Sequence, residues 1–291
     1  MSAQPPSAWS TARLREPRPP VALTIAGSDP SGGAGIQADL KTFSALGAYG
    51  CAVLTALTAQ STRGVTGVHP VPPEFVTEQL ATLLDDVVVD AVKVGMLGTA
   101  AVTGAVATVL AELPATVVVD PVMVATSGDR LLDDDAVAAI RRLIPLADLI
   151  TPNVPEAAVL LDGPRADDVD SMLAQARALR DAGARRVLLK GGHLPGVDAV
   201  DVLVGPEGEQ VLRTPWVDTA NTHGTGCTLS SAVAALRPQH QSWPDAVRAA
   251  KEWLHGAIRA GADLHVGGGH GPVHHLYALW DVVESPTAAS G

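Results

Sequence analysis

The chain has 291 residues, of which 47% are apolar and only 3% aromatic, and it carries a formal charge of −11. This length fits one large domain or two small ones, and the apolar content is enough for a substantial core. So acidic a chain argues against general affinity for nucleic acid or anionic lipid, although backbone amides can still form a local site for a nucleotide.

The cysteine content and the lengths of the apolar runs indicate the cellular compartment of the protein. Cys51 and Cys227 are too few for a disulfide framework. The first residues contain no apolar segment of signal-peptide type, and no uncharged apolar run reaches the ~18 residues of a membrane span. We therefore expect a cytoplasmic protein that binds neither membranes nor nucleic acid.

Short β-rich apolar runs alternate with Ala-rich helical stretches along the chain. The pattern predicts strands at 21–27, 51–57, 91–95, 117–120, 149–151 and 187–192, then a hairpin of 199–204 with 209–214. It predicts helices at 36–46, 73–86, 99–112, 168–182, 225–236 and 244–263. Such alternation implies an α/β fold with a mostly parallel sheet and helices on both faces.

The two ends of the chain are expected to lie outside the folded unit. Residues 1–19 are rich in Pro, Ser and Arg and are predicted to be a disordered tail. No linker divides the remainder, so 20–283 is predicted to be one domain, followed by a C-terminal tail at 284–291.

The segment from Asn221 to Cys227 is the strongest candidate for a catalytic centre. Gly224 and Gly226 free the backbone to turn its N–H groups toward one point, and the following helix start adds a partial positive charge. We expect an anion hole suited to the γ-phosphate of ATP. The helix dipole is also expected to lower the pKa of the Cys227 thiol, which would let it act as a base. A glycine-rich turn with an inert, buried cysteine is the alternative.

Two further segments have both a functional and a structural interpretation. The glycine-rich segment 27–39 is neither a P-loop nor a dinucleotide fingerprint, and it either wraps a small substrate or only connects a strand to a helix. Asn153 and Glu156 lie three residues apart at a helix start, where they fit a Mg²⁺ site or a capping pair.

Single residues at predicted strand ends complete the set of candidates. Lys190 is placed to meet a nucleotide phosphate, and Asp120 to hold a metal or a positive group, although both also fit ordinary strand ends. Gln60 and Met96 are candidates for the lining of a pocket for an aromatic ring, with a core position as the alternative for Met96.

Taken in order, these segments resemble the motifs of the bacterial hydroxymethylpyrimidine/phosphomethylpyrimidine kinases, a thiamine-biosynthesis family of the ribokinase-like superfamily. The resemblance covers about residues 20–280 and rests on 26–41, 42–50, 94–97, 120–123, 151–157, 190–193, 221–228 and 271–275. It implies a ribokinase-like three-layer αβα sandwich, ATP with Mg²⁺, and a homodimer. It also implies two phosphorylations, of 4-amino-5-hydroxymethyl-2-methylpyrimidine and then of its monophosphate.

The resemblance also implies roles for individual residues. The pyrimidine substrate is expected to be bound by Gln60, Asp39, Gly27, Ala34, Met96 and Val122. Catalysis is expected to depend on Cys227, Gly224 and Gly226, and ATP binding on Lys190, Asn153 and Thr222. Glu156 and Asp120 are expected to serve the metal. Most ribokinase-like kinases place an aspartate base where this chain has Cys227.

Three other functions are compatible with parts of the pattern. A kinase of the same fold acting on pyridoxal or pyridoxine would also bind a nitrogen ring with a hydroxymethyl arm. A non-catalytic pyrimidine-binding protein would need no intact catalytic segment. A cysteine hydrolase would use Cys227 as nucleophile and His223 as base.

Overall fold

The computed structural model describes residues 18–123, 134–192 and 198–280. The predicted tails fall outside these ranges apart from residues 18–19, so the boundaries of the single domain stay a prediction. None of the helices in these ranges combines the length and the apolar composition that crossing a bilayer demands.

The strands of the described ranges form a main sheet and a separate hairpin. In chain order they are β1 (Val21–Ala26), β2 (Tyr49–Leu54), β3 (Ala56–Ser61), β4 (Gly64–Pro70), β5 (Ala91–Val94), β6 (Thr116–Val119), β7 (Leu149–Ile150), β8 (Val187–Lys190), β9 (Asp198–Gly205) and β10 (Gly208–Pro215). The main sheet has the order β10-β9-β8-β7-β6-β5-β1-β2, and β3 pairs only with β4. The pairs from β2 to β8 are parallel, whereas β9 runs antiparallel to both neighbours.

The helices cover the main sheet on both faces. They are α1 (Gly35–Ala45), α2 (Pro73–Asp86), α3 (Ala100–Leu110), α4 (Asp134–Leu143), α5 (Val154–Leu161), α6 (Val169–Asp181), α7 (Thr225–Leu236) and α8 (Trp243–Gly261). One apolar core lies between the sheet and α2 to α6, and a second lies between the sheet and α1, α7 and α8. The predicted three-layer αβα sandwich with a mostly parallel sheet is therefore confirmed.

Alternation along the central strands explains why both faces of the sheet are apolar. On β5, Val92 and Val94 pack into the first core while Ala91 packs into the second. Because side chains point to opposite faces in turn, the residue between the two valines, Lys93, must face α1 and α7. Lys93 is thus a charged residue in the middle of an otherwise apolar, buried strand.

The predicted strand at 51–57 is wrong in its second half. The main-sheet strand ends at Leu54, and Thr55 fixes the break by donating its hydroxyl to the Met96 carbonyl (2.6 Å). The chain then leaves the sheet and forms the antiparallel hairpin of β3 and β4, which has a register shift between Ala59 and Gln60. The sequence pattern also missed α4, and it marked α5 only as a helix start.

Candidate active site

A cavity of about 820 Å³ opens along the carboxyl ends of the parallel strands. Ligands in open α/β sheets bind at this edge, at the point where the order of the strands in the sheet reverses. Here that point is β1, whose neighbours are β2 and β5. The volume lies within the range of small-molecule and cofactor sites. Every residue that the sequence assigned to catalysis or binding lines the cavity, except Asp39.

The turn at the start of α7 forms the middle of the cavity. Gly224 is the N-cap residue and has a φ of 77°, in the left-handed region that favours glycine. A Cβ added there would collide with the Gly33 carbonyl, so the glycine-rich segment packs directly on this turn. The amides of Gly226 and Cys227 belong to the first turn of α7, which leaves its N–H groups without helical partners. The turn is therefore suited to bind an anion, as the sequence predicts.

A buried hydrogen bond between His223 and Asp29 joins the glycine-rich segment to the catalytic turn. Asp29 accepts hydrogen bonds from the Ser31 and Ala34 amides (2.9 and 2.8 Å), and His223 donates Nε2–H to it (2.7 Å). Burial alone would raise the pKa of Asp29, but the hydrogen bonds from His223, Ser31 and Ala34 outweigh it and hold that pKa below its usual value. Since His223 is committed to Asp29, the geometry does not support its use as the base of a cysteine hydrolase.

The expected activation of Cys227 by the helix dipole is wrong. Burial raises the pKa of the Cys227 thiol to about 11, and although Lys93 opposes this rise, Asp120 and Asp39 add to it. At neutral pH the group is a thiol. Any proton uptake by Cys227 therefore has to rely on a small thiolate fraction or on the changed environment of a bound substrate.

Asp39 does not line the cavity, where the expected contact with the substrate would need it. The Asp39 carboxylate is fully buried between α1 and the sheet, away from the cavity wall. It accepts hydrogen bonds from Lys93 Nζ (3.0 and 2.9 Å), Thr24 Oγ1 (2.6 Å) and Ser231 Oγ (2.6 Å). Lys93, which the sequence analysis did not select, is the member of this pair that lines the cavity.

A second lysine and carboxylate lie on the other side of the turn. Lys190 Nζ donates to Asp120 Oδ1 (2.7 Å), which also accepts from Thr151 Oγ1 (3.1 Å). Burial would lower the pKa of Lys190, but Asp120 and Glu156 outweigh it and raise that pKa, so Lys190 is an ammonium. A Cβ added at Gly226 would lie 3.1 Å from Lys190 Nζ, so glycine brings the turn close to this charge.

Asn153 and Glu156 form the capping pair that was the structural alternative, and both also line the cavity. The Asn153 amide donates to Glu156 Oε2 (2.7 Å), and the Glu156 amide donates to Asn153 Oδ1 (2.8 Å). Burial raises the pKa of Glu156 to about 7; Lys190 opposes this rise and Asp120 adds to it. The two interpretations are compatible, because Glu156 lines the cavity while its carboxylate accepts hydrogen bonds from the Asn153 and Met123 amides.

The residues expected to hold an aromatic ring lie together at the β1 and β5 side of the cavity. Gln60 projects from the irregular part of β3, and Thr58, two residues earlier, donates its hydroxyl to the Ser28 carbonyl (2.8 Å). A Cβ at Gly27 would collide with the Met96 methyl group, so glycine leaves room for that side chain. Val122 and Ala34 line the same cavity.

The opposite end of the cavity contains residues that the sequence analysis missed. Thr222 lines the cavity too, and a further part of its wall is built from the end of β10, the two residues that follow it and one face of α8: Thr214, Pro215, Trp216, Val217, Leu254, His255 and Ile258. Trp216 is 48% exposed. These residues have no polar motif or glycine that would have marked them in the sequence.

The cavity offers a divalent cation the carboxyl groups of Asp120 and Glu156, and the remaining ligands would have to come from outside the protein. The described ranges contain no group of three or more His, Cys, Asp or Glu side chains placed to hold a metal. Asp120 and Glu156 are two carboxyl groups in one cavity, and repulsion from Asp120 contributes to the raised pKa of Glu156. Mg²⁺ is commonly held by one or two carboxylates together with substrate phosphates and water, so the residues fit it.

The sequence is similar to those of known phosphomethylpyrimidine kinases. The family model for phosphomethylpyrimidine kinase matches residues 29–274. The hydroxymethylpyrimidine/phosphomethylpyrimidine kinase of Escherichia coli (strain K12) is 56% identical over 261 residues, which cover 89% of this chain and 98% of that protein. The thiamine biosynthesis bifunctional protein ThiED of Geobacter sulfurreducens is 51% identical over 262 residues, 89% of this chain and 53% of that protein.

Among solved structures, an ADP complex of Bacillus subtilis pyridoxal kinase has the same fold. It matches with a TM-score of 0.82 and 39% sequence identity, over 89% of this chain and 98% of that chain.

Proposed function

This chain belongs to the phosphomethylpyrimidine kinase family, and from that membership we propose that it phosphorylates hydroxymethylpyrimidine with ATP in thiamine biosynthesis, first to the monophosphate and then to the diphosphate. The observation that carries the proposal is a single cavity with an anion-binding turn at its middle. The residues expected to hold the pyrimidine ring and those expected to hold ATP line this same cavity.

The proposed roles follow from the order of residues along the cavity. The pyrimidine lies between Gln60, Met96 and Val122, and its hydroxymethyl group points to the turn. Gln60 supplies an amide that can donate to a ring nitrogen and accept from an amino group. Gly27 and Ala34 leave room for the ring and supply backbone polar groups beside it.

ATP binds on the other side of the turn. Lys190 contacts its phosphates, Asn153 and Thr222 hold the phosphate chain, and the apolar residues of β10 and α8 pack on the base. The amides of the turn from Gly224 to Cys227 stabilise the charge on the phosphoryl group in transit, since phosphoryl transfer depends mainly on positioning and charge stabilisation.

Asp120 and Glu156 would hold Mg²⁺ together with the ATP phosphates. The ion would supply further neutralisation of phosphate charge. Asp120 itself orients Lys190, and Glu156 orients the start of α5, so both carboxylates position groups of this chain as well.

An assay of ADP release would test the proposal. Purified protein with Mg-ATP is given the pyrimidine alcohol or its monophosphate in separate reactions, and the products are identified by ³¹P NMR. We expect ADP with both acceptors, and the diphosphate as the final product. Binding of the pyrimidine in calorimetry without any ADP release would show instead that the protein is a non-catalytic pyrimidine binder.

A second acceptor class is favoured by the likeness to a pyridoxal kinase at 39% identity. Pyridoxal and pyridoxine carry a hydroxymethyl arm on a nitrogen ring of similar size. We expect activity on them below that on the pyrimidine alcohol, because Gln60 matches the amino-pyrimidine edge. The test compares kcat/KM for the pyrimidine alcohol, pyridoxal and pyridoxine at a fixed ATP concentration. A higher kcat/KM with pyridoxine than with the pyrimidine alcohol would show that pyridoxine is the preferred acceptor.

A cytoplasmic location and a homodimer belong to the same proposal. The location rests on the low cysteine content and on the relatives, which are biosynthetic enzymes. The dimer rests on the family resemblance and on the exposed hairpin of β3 and β4.

A further inference from the structure

Lys93 and Asp39 form a buried ion pair beside the cavity. Lys93 is 0% exposed and its Nζ binds both oxygens of Asp39, at 3.0 and 2.9 Å. Thr24 and Ser231 donate to the same carboxylate from the sheet and from α7. The Asp39 carboxylate therefore accepts hydrogen bonds from three side chains, those of Lys93, Thr24 and Ser231.

The two partners lie at different depths behind the cavity wall. Lys93 contributes to the wall and Asp39 does not. A Cβ added at Gly95 would lie 2.8 Å from Lys93 Nζ, so the ammonium sits where β5 ends and the cavity begins. Two of the three ammonium protons are used by Asp39, and no other protein acceptor is bonded to Nζ within the described ranges. The pair therefore presents its positive end to the cavity.

A buried ion pair needs a reason other than stability. Desolvation of two charges often cancels their attraction, and apolar residues of similar volume are frequently as stable. The neighbours of Lys93 on β5, Val92 and Val94, are apolar and fully buried. Burial would lower the pKa of Lys93, yet the combined effect of Asp39, Cys227 and Asp120 outweighs it and raises that pKa, so the group stays an ammonium.

The position of Lys93 relates it to the acceptor rather than to ATP. Lys93 and Cys227 both line the cavity, and Lys93 opposes the rise in the pKa of the Cys227 thiol. A Cβ at Gly95 would also meet the side chain of Ala26, the residue before Gly27. Lys93 thus lies between the catalytic turn and the ring end of the cavity. Lys190 is its counterpart on the ATP side.

The two proposed reactions differ in the charge of the acceptor. In the first, the alcohol oxygen bonds to the γ-phosphorus, the bond to ADP breaks with its electron pair going to ADP, and the hydroxyl proton is released. In the second, an oxygen of the phosphomonoester bonds to the γ-phosphorus and ADP leaves in the same way. That acceptor is already a dianion near pH 8, so no proton has to be removed, but its negative charge has to be matched.

We propose that Lys93, held in place by Asp39, is the residue that adapts the acceptor end of the cavity to a phosphomonoester and so enables the second phosphorylation. The inference rests on the proposed two-step function. The amides of the turn cannot make this distinction, because they serve the transferred phosphoryl group in both steps.

The test compares both steps in a variant without the pair's charges. Lys93→Met alone leaves Asp39 buried without a partner and is expected to fold poorly. Lys93→Met combined with Asp39→Asn removes both charges and keeps similar volumes. We expect kcat/KM with the monophosphate to fall about 30-fold or more, in line with the loss of a hydrogen bond to a charged group, while kcat/KM with the alcohol falls less than about fivefold.

A matched control exists at the ATP end. Lys251 and Asp201 form a buried pair of the same chemistry (2.6 Å) that also lines the cavity. Because both steps use the same ATP, Lys251→Met with Asp201→Asn should change both steps by the same factor. Retention of fold in each double variant is checked by thermal unfolding with and without ATP.

The outcomes separate the inference from the proposed function. An equal loss in both steps, or an unchanged second step, in the Lys93/Asp39 double variant would overturn the role of Lys93. If the unaltered protein phosphorylates the alcohol but not the monophosphate, the two-step function itself fails. A selective loss of the second step in the Lys93/Asp39 variant, absent from the Lys251/Asp201 variant, supports the inference.

Discussion

Burial changes the chemistry of the single residues that the sequence marked as reactive. Cys227 lies at a helix start, where the dipole favours a thiolate, but loss of water around the thiol raises its pKa to about 11. Glu156 is a capping residue on α5, yet its pKa is raised to about 7 for the same reason. Neither shift can be predicted from the sequence, because it depends on which distant segments cover the group.

If Cys227 is the base, its loss should affect the two phosphorylations differently. Only the alcohol acceptor has a proton to lose, so Cys227→Ala should lower kcat with the alcohol about 10- to 100-fold and with the monophosphate less than about fivefold. Cys227→Asp should keep part of the alcohol activity. ADP release measured with each acceptor at pH 8 gives both numbers.

The pH dependence of the unaltered protein provides the control for this prediction. With a pKa of about 11, the thiolate fraction rises tenfold per pH unit between pH 7 and 9. The alcohol rate should follow that rise and the monophosphate rate should not. Full activity of Cys227→Ala with the alcohol would show that the thiol is not the base.

The raised pKa of Glu156 predicts that the free energy of unfolding falls as the pH rises. Its pKa is about 7 in the folded protein, against 4.5 for an ordinary glutamate, so folding favours the protonated form. The stability it contributes is complete below about pH 4.5 and is lost as the pH rises through about 7. Glu156→Gln keeps an acceptor for the Asn153 amide and removes the charge. Without Mg²⁺ or nucleotide, the variant should exceed the parent in free energy of unfolding by about 1–3 kcal/mol at pH 8, and by less than about 1 kcal/mol at pH 5.

Urea denaturation at the two pH values measures this difference. Glu78→Gln is the control, because Glu78 is exposed on α2 and should change stability little at either pH. A destabilised Glu156→Gln protein at pH 8 would mean that the capping contact needs the carboxylate charge.

At the scale of elements, the catalytic turn is shaped by its contact with the glycine-rich segment before α1. Gly224 needs its positive φ and also the space that a Cβ would take from the Gly33 carbonyl. Gly224→Ala should therefore displace both segments and lower kcat with either acceptor about 100-fold or more, the loss expected for a misplaced anion hole.

Gly98→Ala is the matched control for backbone strain. Gly98 has a similar φ of 81°, but a Cβ there would meet nothing within 4 Å. Both variants should lose about 1 kcal/mol of stability from the left-handed backbone. Only Gly224→Ala should lose activity, and similar kinetics for the two variants would contradict the close packing of the two segments.

The sequence predicted those elements whose hydrophobic period repeats clearly, and failed where the chain leaves the sheet. β1, β5 and β8 have continuous apolar runs and were found within a residue or two. The run at 51–57 looks equally continuous, but Thr55 turns it away from the sheet through a bond to Met96 that only the folded chain brings within reach. No local pattern marks such a break.

The same limit applies to the site. Glycines and strand-end polar residues were found because their backbone positions have a local signature, and so were Lys190 and Asp120. Lys93 was overlooked since it lies inside an apolar strand, and Asp39 was given a substrate contact although its partners Lys93 and Ser231 are 54 and 192 residues away. Long-range pairing decided which member of the pair reaches the cavity.

For the whole molecule, the hairpin of β3 and β4 links the cavity to the outer surface. β3 carries Gln60 into the cavity, while Leu57 and Val68 of the hairpin are 48% and 50% exposed. Thr62 at its turn accepts from the His270 amide (2.9 Å) and its hydroxyl accepts from the Gly269 amide (3.2 Å), so the C-terminal loop holds one end. An isolated two-stranded hairpin is marginally stable in water and needs further packing.

A second copy of the chain is the partner that we expect to supply this packing. Exposed strand edges and apolar side chains are places where chains associate, and homodimers commonly use the same patch on both subunits. Sedimentation equilibrium should give about twice the monomer mass of 29.8 kDa for the parent protein. Leu57→Asp and Val68→Asp should shift it toward the monomer.

Val211→Asp is the control for this prediction, because Val211 is 41% exposed on β10, at the far edge of the sheet, and should leave the mass unchanged. Since the hairpin positions Gln60, the monomeric variants should also bind the pyrimidine alcohol about tenfold more weakly, a KM effect with kcat nearly preserved, as expected for the loss of about 1.4 kcal/mol of binding energy. A parent protein that is monomeric at all concentrations, or monomeric variants with unchanged KM, would show that the hairpin is held by its own chain alone.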